Sequence, residues 1–251
     1  MKKLKSVKLI ELYILDIIED RRKAPGFSAL LSAVAWCYKN IVRLRNALYD
    51  MKILKSHKVP ACVVSIGNIV SGGTGKTPLI QYLSSIFSDE FSTAIVTRGY
   101  RSAIEKSGKS VNISSSNGPI VSPAECGDEP FWLAMNTKSQ VFVGKDKLSS
   151  ARNAAIDKNK IIFIDDGMQH RRLSRDFEIV LIDGNDPWGK GHFLPRGLLR
   201  DLPERLSCAD LVVVSNLDDP EKWQEIKNGI IHYTGAPVIR MTRIFDLHIS
   251  P

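Results

Sequence analysis

The sequence predicts an α/β fold in which a mostly parallel β-sheet is flanked by helices and follows an N-terminal amphipathic helical segment. Six short apolar runs rich in β-branched residues are separated by segments of helix length, a pattern typical of buried parallel strands. A glycine-rich turn joins the first run to a helical stretch, and apolar residues recur at helical spacing near the N-terminus. The six runs are ACVVSIGN, STAIVTRG, QVFVGKD, KIIFIDDG, FEIVLIDG and DLVVVSN.

Length and charge narrow the classes of function. With 251 residues, of which 43% are hydrophobic, the chain can bury a sizeable core. Residues 1–60 carry 13 basic and five acidic side chains, a surplus equal to the net charge of +8 of the whole chain, so the remaining residues are balanced. A positive surplus confined to one apolar end favours an anionic membrane surface as partner and disfavours nucleic acid.

The four cysteines indicate a reducing compartment. They stand far apart without a CxxC pair, which argues against a zinc ribbon or a disulfide framework. Acidic residues interrupt the apolar stretch after the basic N-terminus, and no small-residue cleavage site follows it. We therefore expect a protein that remains on the cytoplasmic side of the membrane.

Two helices are predicted before the first strand. Residues 4–20 repeat apolar positions at helical spacing, and a Pro-Gly pair ends that helix. The uncharged stretch Phe27–Tyr38 precedes a basic helical stretch and is too short to span a bilayer, which takes about 20 helical residues. These helices pack on the rest of the protein or dock on a membrane surface, and periodicity leaves both alternatives open. We expect a membrane-associating segment over residues 1–55 and a core over 56–251.

The strongest local motif is SIGNIVSGGTGKTPLIQYL, in which a strand, a glycine-rich turn and a helix follow one another. Glycines let backbone N–H groups surround a phosphate, the helix N-terminus adds its positive dipole end, Lys76 reaches the β- and γ-phosphates, and the Thr77 hydroxyl can ligate Mg²⁺. Val70 stands where the full pattern has glycine, so the loop is a variant. The motif predicts an ATP-binding core of the P-loop NTPase type. The predicted phosphate-binding residues are Val70, Ser71, Gly72, Gly73, Thr74, Gly75, Lys76 and Thr77.

A second motif, IIFIDDGMQH, ends a strand in two adjacent carboxylates, Asp165 and Asp166. Carboxylates at the tip of a neighbouring strand are what a complex of Mg²⁺ and phosphate needs, so we expect them to form a metal site with Thr77. Taken alone, Asp-Asp-Gly is more often a turn. His170 follows and either orients a carboxylate or contacts substrate, although a single histidine is as often structural.

Acidic and basic side chains elsewhere are candidates for catalysis and substrate binding. In CGDEPFWLA, Asp128 and Glu129 open a helix. They are ordinary carboxylates at a helix N-terminus, or they supply the base that takes a proton from an acceptor hydroxyl. In TRGYRS, Arg98 and Arg101 follow a strand end, where they can pair with phosphate or lie on a surface loop.

Two loops complete the prediction. Residues 103–123 are rich in Ser, Gly and Asn and predict a mobile loop. The loop DPWGKGHFLPRGLLRD, at 186–201, mixes cations with large apolar side chains. Such a mixture suits an acceptor that is both anionic and apolar, and Arg196 is a candidate for contacting it.

Together the motifs resemble a known family. SIGNIVSGGTGKTPL, TRGYRS, GDEP, VFVGKDKLSSA, IDDGMQHRRLSRDFEIVLID and GKGHFLPRGLLRD occur in this order. From about residue 28 onward the chain closely resembles the tetraacyldisaccharide 4′-kinases, the lipid A 4′-kinases of Gram-negative bacteria. The resemblance implies transfer of the ATP γ-phosphate, with Mg²⁺, to the 4′-hydroxyl of tetraacyldisaccharide 1-phosphate. This reaction of lipid A biosynthesis gives the precursor lipid IVA on the cytoplasmic face of the inner membrane.

The resemblance also implies roles for residues at matching motif positions. Lys76 and Thr77 look like the phosphate-loop residues, Asp128 looks like the catalytic carboxylate, and Asp165 and Asp166 look like the acids on the metal side. The basic, apolar N-terminus looks like the family's membrane-associating segment. The other matched motif positions are Glu129, Gln169 and His170.

The chain departs from the family pattern at three places. Met168 stands for a Phe or Leu, Lys147 stands for a common Arg, and family members continue for several tens of residues beyond the point corresponding to Pro251. Two further hypotheses remain beside the kinase. One is an inactive nucleotide-binding fragment, and the other is a membrane-recruited P-loop ATPase of the partitioning or targeting type. We expect a lipid disaccharide substrate, no nucleic acid and no obligate protein partner.

Overall fold

The computed structural model describes residues 16–19, 21, 24–115 and 117–242. Its strands are β1 (Cys62–Asn68), β2 (Thr93–Thr97), β3 (Val111–Asn112), β4 (Ser114–Ser115), β5 (Gly118–Pro119), β6 (Gln140–Val143), β7 (Ile161–Asp165), β8 (Phe177–Asp183), β9 (Leu211–Ser215) and β10 (Val238–Arg240). Eight of them form one sheet in the order β10-β9-β8-β1-β7-β2-β6-β3, and β4 and β5 form a separate hairpin. Neighbouring strands of the sheet run parallel, except that β3 pairs antiparallel with β6.

Helices cover both faces of this sheet. They are α1 (Pro25–Asp50), α2 (Lys76–Phe87), α3 (Ala103–Ser107), α4 (Pro123–Cys126), α5 (Asp128–Asn136), α6 (Lys147–Ile156) and α7 (Trp223–Ile231). Three short 3₁₀ turns lie at Gly189–Gly191, Pro203–Cys208 and Pro220–Lys222. The predicted α/β class with a mostly parallel sheet is therefore confirmed.

All six predicted strands are present, as β1, β2, β6, β7, β8 and β9. The five residues of β2 are all buried, which explains why the runs are continuously apolar and do not alternate. The edge strands β3 and β10 escaped prediction because two or three residues are too few to show a period.

The core has two layers, one on each face of the sheet. Along β7, Phe163 packs with α2 and α5, whereas Ile162 and Ile164 pack with α6 on the opposite face. Helices α1 and α7 cover the same face as α6, over β8 and β9. Because the strands are parallel, all their carboxyl ends lie at one edge, and the loops that follow them converge there.

Helix α1 joins the predicted uncharged stretch and the basic stretch after it in one continuous helix of 26 residues. Its buried stripe packs against Ile69 and Val70 of the core, while its outer surface exposes large apolar side chains, among them Leu30, Ile41 and Leu44. Among the described residues, no helix is both long enough and apolar enough to cross a membrane. The helix predicted over 4–20 lies almost wholly outside the described residues.

The predicted loop over 103–123 is the clearest error of the sequence analysis. The segment instead contains α3, β3, the β4–β5 hairpin and the start of α4. Ile113 is fully buried, and the Ser114 hydroxyl accepts a hydrogen bond from the Val141 N–H at 2.8 Å. Serine and asparagine side chains here satisfy backbone groups, so a composition typical of loops supports ordered short elements.

Candidate active site

The glycine-rich loop lies between β1 and α2, as predicted. Gly72 and Gly75 adopt left-handed backbone conformations, with φ of 130° and 81°, which only glycine adopts without strain. A Cβ added at Gly72 or Gly73 would meet open space. The backbone of the loop is therefore exposed to a ligand, as a phosphate cradle requires.

Residues at the ends of strands β1 and β9 form hydrogen bonds to this loop. Asn68, the last residue of β1, donates to the Thr74 hydroxyl at 3.1 Å. At the end of β9, the Ser215 hydroxyl donates to the Thr74 carbonyl at 2.7 Å, and the Asn216 amide donates to the Gly73 carbonyl at 3.1 Å. The Gly73 and Thr74 carbonyls are thus bonded from the protein side, which turns them away from the open side of the loop.

Val70, at the position that normally holds glycine, is buried and forms a β-bridge with Leu199. The next residue, Ser71, donates its N–H to the Leu198 carbonyl at 2.7 Å. The variant loop is therefore anchored by the segment 198–199 at its start, and the phosphate cradle begins after that anchor.

The two predicted carboxylates lie beside the loop. Asp165 ends β7 and accepts a hydrogen bond from the Thr97 hydroxyl at 2.9 Å. Asp166 follows with a positive φ of 51°, and its Oδ1 lies 3.7 Å from Lys76 Nζ. This distance brings Lys76 and the second carboxylate together at one edge of the sheet.

Arg200 clamps Asp166. Its two terminal nitrogens donate to the two carboxylate oxygens at 3.0 and 2.7 Å, a bidentate arrangement. The same guanidinium donates to Asn68 Oδ1 and, at 3.2 Å, to the Val70 carbonyl. Arg200 thus connects Asp166 to both ends of the segment 68–70, which leads into the phosphate loop.

Lys147 forms hydrogen bonds to the backbone of the two aspartates. This side chain is only 6% exposed, and its Nζ donates to the backbone carbonyls of Asp165 and Asp166 at 2.6 and 2.5 Å. Burial lowers the pKa of Lys147, although both carboxylates oppose that shift. A buried cation in this position fixes the backbone that carries the two acids.

The adjacent carboxyl groups have pKa values shifted in opposite directions. Burial, reinforced by the charge of Asp166, raises the pKa of Asp165. Burial would raise the pKa of Asp166 as well, but the hydrogen bonds and charge of Arg200 outweigh it and hold that pKa below its ordinary value. Burial and the nearby Asp165 also raise the pKa of Glu129. Opposed shifts in one cleft are typical of functional sites.

A cavity of about 880 Å³ opens over these groups. Asp128 is exposed at the first turn of α5 and, unlike its neighbour, is not among the described residues that line the cavity. Arg101 and Arg196 are likewise outside its wall as far as the described residues define it. The predicted residues that line it are the loop 71–77 and Arg98, Glu129, Asp165, Asp166, Gln169 and His170.

Gln169 and His170 also line this cavity. The Gln169 amide donates to the Asn68 carbonyl at 2.8 Å, so it braces β1. His170 Nε2 lies 3.6 Å from Asp146 Oδ1, and burial lowers the pKa of this imidazole. Gln169 Oε1 and His170 Nε2 are buried without a hydrogen-bond partner among the described residues, so a polar atom of each side chain remains for a ligand.

The two arginines after β2 are placed differently. Arg98 pairs with Glu105 and reaches the cavity, whereas Arg101 lies over the Tyr100 ring at 5.0 Å. Glu105 also accepts the Arg101 N–H at 2.6 Å, which fixes the turn. Of the pair, Arg98 is therefore the candidate for phosphate contact.

Sequence reasoning undervalued two residues and missed two others. Arg200 was only one cation of a mixed loop, and Lys147 only a departure from a motif. Tyr38 and Arg45 of α1 also line the cavity, although they were assigned to a separate membrane segment. Neither follows a strand end, so the edge-of-sheet argument could not find them.

A second cavity, of about 440 Å³, lies between α1 and the segment 191–204. Trp36 and Lys39 of α1 line one side, and Phe193 and Leu199 line the other. The mixed loop predicted to meet an anionic, apolar acceptor therefore forms a groove with the N-terminal helix.

These features define the class of protein to which the chain belongs. A glycine loop between a strand and a helix, with a lysine facing carboxylates at the tip of the adjacent strand, is the arrangement of P-loop nucleotide-binding proteins. Comparison with known proteins gives the family: residues 27–248 match the family model described as Tetraacyldisaccharide-1-P 4'-kinase. The chain belongs to the tetraacyldisaccharide 4′-kinase family.

Individual relatives agree with this assignment. The chain is 35% identical over 239 residues to a tetraacyldisaccharide 4′-kinase of Halothermothrix orenii, covering 92% of this chain and 62% of the relative. It is 41% identical over 204 residues to that of Chlamydia trachomatis, covering 79% and 54%. A crystal structure of LpxK from Aquifex aeolicus in complex with ATP matches with a TM-score of 0.71 at 30% identity, covering 85% and 64%. The chain thus spans between half and two thirds of the length of these proteins.

Proposed function

We propose that this protein transfers the γ-phosphoryl group of ATP to the 4′-hydroxyl of tetraacyldisaccharide 1-phosphate, the step of lipid A biosynthesis that yields lipid IVA. The observation that carries the proposal is the 880 Å³ cavity, in which an open phosphate loop, Lys76 and the Asp165–Asp166 pair face one another. Family membership supplies the acceptor. The ATP bound by the Aquifex relative supports the donor.

In this proposal the protein acts mainly by positioning and by neutralising charge. N–H groups of the loop after Ser71 surround the β-phosphate, and Lys76 neutralises the phosphoryl group as it moves. Arg98 lines the same cavity and adds a guanidinium group suited to phosphate oxygens, and Arg200, held on Asp166, adds positive charge beside it. The dipole of α2, which begins at Lys76, favours the same negative charge.

The oxygen ligands of the cavity fit Mg²⁺. The Thr77 hydroxyl and the Asp165 carboxylate line it, and among the described residues no group of three or more acidic, His or Cys side chains surrounds a common point. Mg²⁺ is held by one or two protein oxygens together with phosphates and water, which matches so sparse a set. Asp165 is the better ligand because both oxygens of Asp166 accept from Arg200. The ion, when bound, would neutralise phosphate charge.

Two adjacent acids are candidates for the base that accepts the proton of the 4′-hydroxyl. The motif match favours Asp128, while position in the cavity wall and a raised pKa favour Glu129. We keep Asp128 as the proposed base and Glu129 as its neighbour in the site. Comparison of Asp128→Asn with Glu129→Gln tests this choice. The true base should lose about 10²- to 10⁴-fold in transfer rate with ATP affinity retained.

The acceptor is proposed to approach from the α1 side at the cytoplasmic face of the inner membrane. The groove between α1 and residues 191–204 combines Trp36 and Phe193 with Lys39, which suits acyl chains next to anionic groups. The apolar outer stripe of α1 supports docking on an anionic membrane surface. Neither partner protein nor nucleic acid is part of the proposal.

Membrane docking is tested with vesicles that contain anionic lipid. Ile41→Ser and Leu44→Ser remove two side chains, 65% and 61% exposed, from the outer stripe of α1. Ile156→Ser, at the end of α6, removes a side chain that is 75% exposed from another surface. We expect the α1 variants to sediment less with vesicles and Ile156→Ser to sediment as the unchanged protein does. Equal sedimentation of all three would reject docking through this stripe.

Catalysis is tested by transfer of labelled γ-phosphate to detergent-dispersed tetraacyldisaccharide 1-phosphate. Lys76→Ala should reduce transfer by at least about 100-fold, the loss typical of one preorganised donor. Lys138→Ala, an exposed lysine paired with Asp89, is the matched control and should leave transfer unchanged.

Three other results would contradict the proposed function or favour a different one. Transfer by Lys76→Ala at the unchanged rate would contradict the role of the loop. ATP hydrolysis without acceptor that rises with protein concentration would favour the membrane-recruited ATPase. ATP binding without transfer or hydrolysis would identify a nucleotide-binding portion of the kinase.

A further inference from the structure

Helix α1 carries a polar residue on its buried face. The stripe that includes Ala35 and Val42 continues at helical spacing to Asn46, which is only 4% exposed. A buried amide destabilises a protein unless it is hydrogen-bonded. Here both ends of the amide are bonded: Nδ2 donates to Asp201 Oδ1 at 2.8 Å, and Oδ1 accepts from Arg45 Nη2 at 3.1 Å. The residue at this position is therefore specified by a contact and not by packing.

Asp201 is the other half of that contact. Its side chain is fully buried, and both oxygens have donors. Oδ2 accepts from Arg45 Nη2 at 3.1 Å, and Oδ1 accepts from Asn46 and from the Leu202 N–H at 2.9 Å. Two of the three donors belong to α1. Because an unpaired buried carboxylate is strongly unfavourable, the loop keeps this arrangement only while α1 is docked.

The adjacent residue links this contact to the nucleotide site. Asp201 follows Arg200, and the N–H groups of both donate to the Ile69 carbonyl, at 3.2 and 2.8 Å, immediately before the phosphate loop. The Tyr38 hydroxyl of α1 donates to the Arg200 carbonyl at 3.4 Å. Two neighbouring side chains thus have opposite partners: Asp201 binds α1, and Arg200 binds Asp166.

We propose that Asn46 and Arg45 of α1 are positioning residues for the nucleotide site. Through the buried carboxylate of Asp201 they hold Arg200 in its bidentate contact with Asp166, so the site reaches its binding geometry when α1 is docked on the core. The proposal rests on the nucleotide-binding part of the proposed function. It connects α1, the helix predicted to associate with the membrane, with the phosphate loop through four residues, namely Arg45, Asn46, Asp201 and Arg200.

A reciprocal exchange tests the connection. Asn46→Asp replaces a donor by a carboxylate oxygen facing Asp201 Oδ1, so two buried acids repel each other. We expect the dissociation constant for ATP with Mg²⁺, measured with the 251-residue chain, to rise about tenfold, within the range typical of coupled sites. Adding Asp201→Asn restores one donor and one acceptor with the hydrogen bond reversed. The double variant should return to within about twofold of the unchanged protein.

A control variant on the same helix separates positioning from loss of structure. Asp50, one turn beyond Asn46, pairs with Arg171 at 2.6 Å, and Arg171 also donates to the Asn46 carbonyl at 2.9 Å, so this control perturbs the same turn of α1 while it keeps the side-chain contact between Asn46 and Asp201. Asp50→Asn removes a contact between α1 and the core and should bind ATP as the unchanged protein does. If Asn46→Asp does not fold, Asn46→Ala takes its place and should weaken ATP binding at least threefold.

The outcomes are distinct. Unchanged ATP affinity in Asn46→Asp, or in Asn46→Ala where the first does not fold, overturns the proposal. So does a loss that Asp201→Asn fails to repair, or an equal loss in Asp50→Asn. Absence of ATP binding by the unchanged chain refutes the proposed function itself, and that result is recognised before any variant is measured.

Discussion

Replacing Lys147 by Met should destabilise the protein more than any other single change of a lysine in the cavity. The Lys147 ammonium donates to the carbonyls of Asp165 and Asp166, and both acids lie close enough to shift its pKa. The variant keeps the volume of the side chain nearly constant but leaves two carbonyls and two carboxylates without this cation. It therefore isolates the electrostatic contribution of the buried ammonium.

The size of the effect follows from the contacts. Each hydrogen bond to a charged donor contributes about 1.5–3 kcal/mol, so two give about 3–6 kcal/mol. Burial lowers the pKa of Lys147 and opposes this gain, because the variant no longer has to bury a charge. Removing one partner of a buried charge cluster typically costs about 3–5 kcal/mol. We therefore expect about 3–4 kcal/mol, which lowers the melting temperature by about 6–16 °C for a chain of this size.

Chemical and thermal denaturation measure this loss. Lys145→Met is the matched control because Lys145 lines the same cavity, is exposed and lies two residues away. It should change stability by no more than about 0.5 kcal/mol. Lys147→Arg keeps a donor with the same charge and should recover most of the loss. A Lys147→Met protein that unfolds within about 1 kcal/mol of the unchanged protein would refute the assigned role.

Three further predictions concern the same edge of the sheet. Arg200→Lys should weaken ATP binding about tenfold, since a single ammonium cannot replace the bidentate contact with Asp166; an unchanged dissociation constant in a binding titration would contradict this. Asp166 has a lowered native pKa, so its stabilisation is present above its unfolded pKa near 3.8 and disappears as the pH falls below it; Asp166→Asn should accordingly lose less stability than the unchanged protein between pH values of about 4 and 2. Gly67→Ala would put a Cβ 2.5 Å from Met168 Cβ, so denaturation should show a loss of about 1–3 kcal/mol, and an equally stable variant would show that the turn after β7 moves freely.

Most of the fold could be predicted because its strands are buried on both faces. Continuous β-branched runs identify such strands without any knowledge of their order, and the five buried residues of β2 are an example. The order itself, and the short edge strands, depend on pairing between distant segments. The segment 103–123 shows the opposite limit, since its serines and asparagines bond to backbone groups that composition cannot reveal.

The site could be predicted where function follows directly from position after a strand. Lys76 and Asp166 follow β1 and β7, which are neighbours, and their charged atoms lie 3.7 Å apart. Arg200 contacts the same carboxylate but lies 34 residues away, at the end of an irregular loop. No period or spacing indicates that such a loop returns to the phosphate-binding loop. The residues of α1 that reach the cavity were missed for the same reason.

The helix that carries Asp128 and Glu129 marks a further limit. Adjacent residues on a helix point about 100° apart, so one of two neighbouring acids faces a given surface and the other does not. Sequence motifs select the pair, and the structure puts Glu129 in the cavity wall. The direction in which each acid points depends on where α5 begins, which is set by Gly127 in a left-handed conformation, with φ of 96°.

The pair Asp165–Asp166 shows how one motif provides two different groups. Both carboxylates are partly buried, and both are close to Lys76 and Lys147. Only Asp166 accepts two hydrogen bonds from Arg200, so it stays ionised and its oxygens are already used. Asp165 accepts one hydroxyl hydrogen bond and keeps a raised pKa, which means that a cation brought with the nucleotide would gain most by binding there. Asp165 would therefore suit a cation that arrives with the nucleotide. Asp166 instead stabilises the protein around the site through its contact with Arg200.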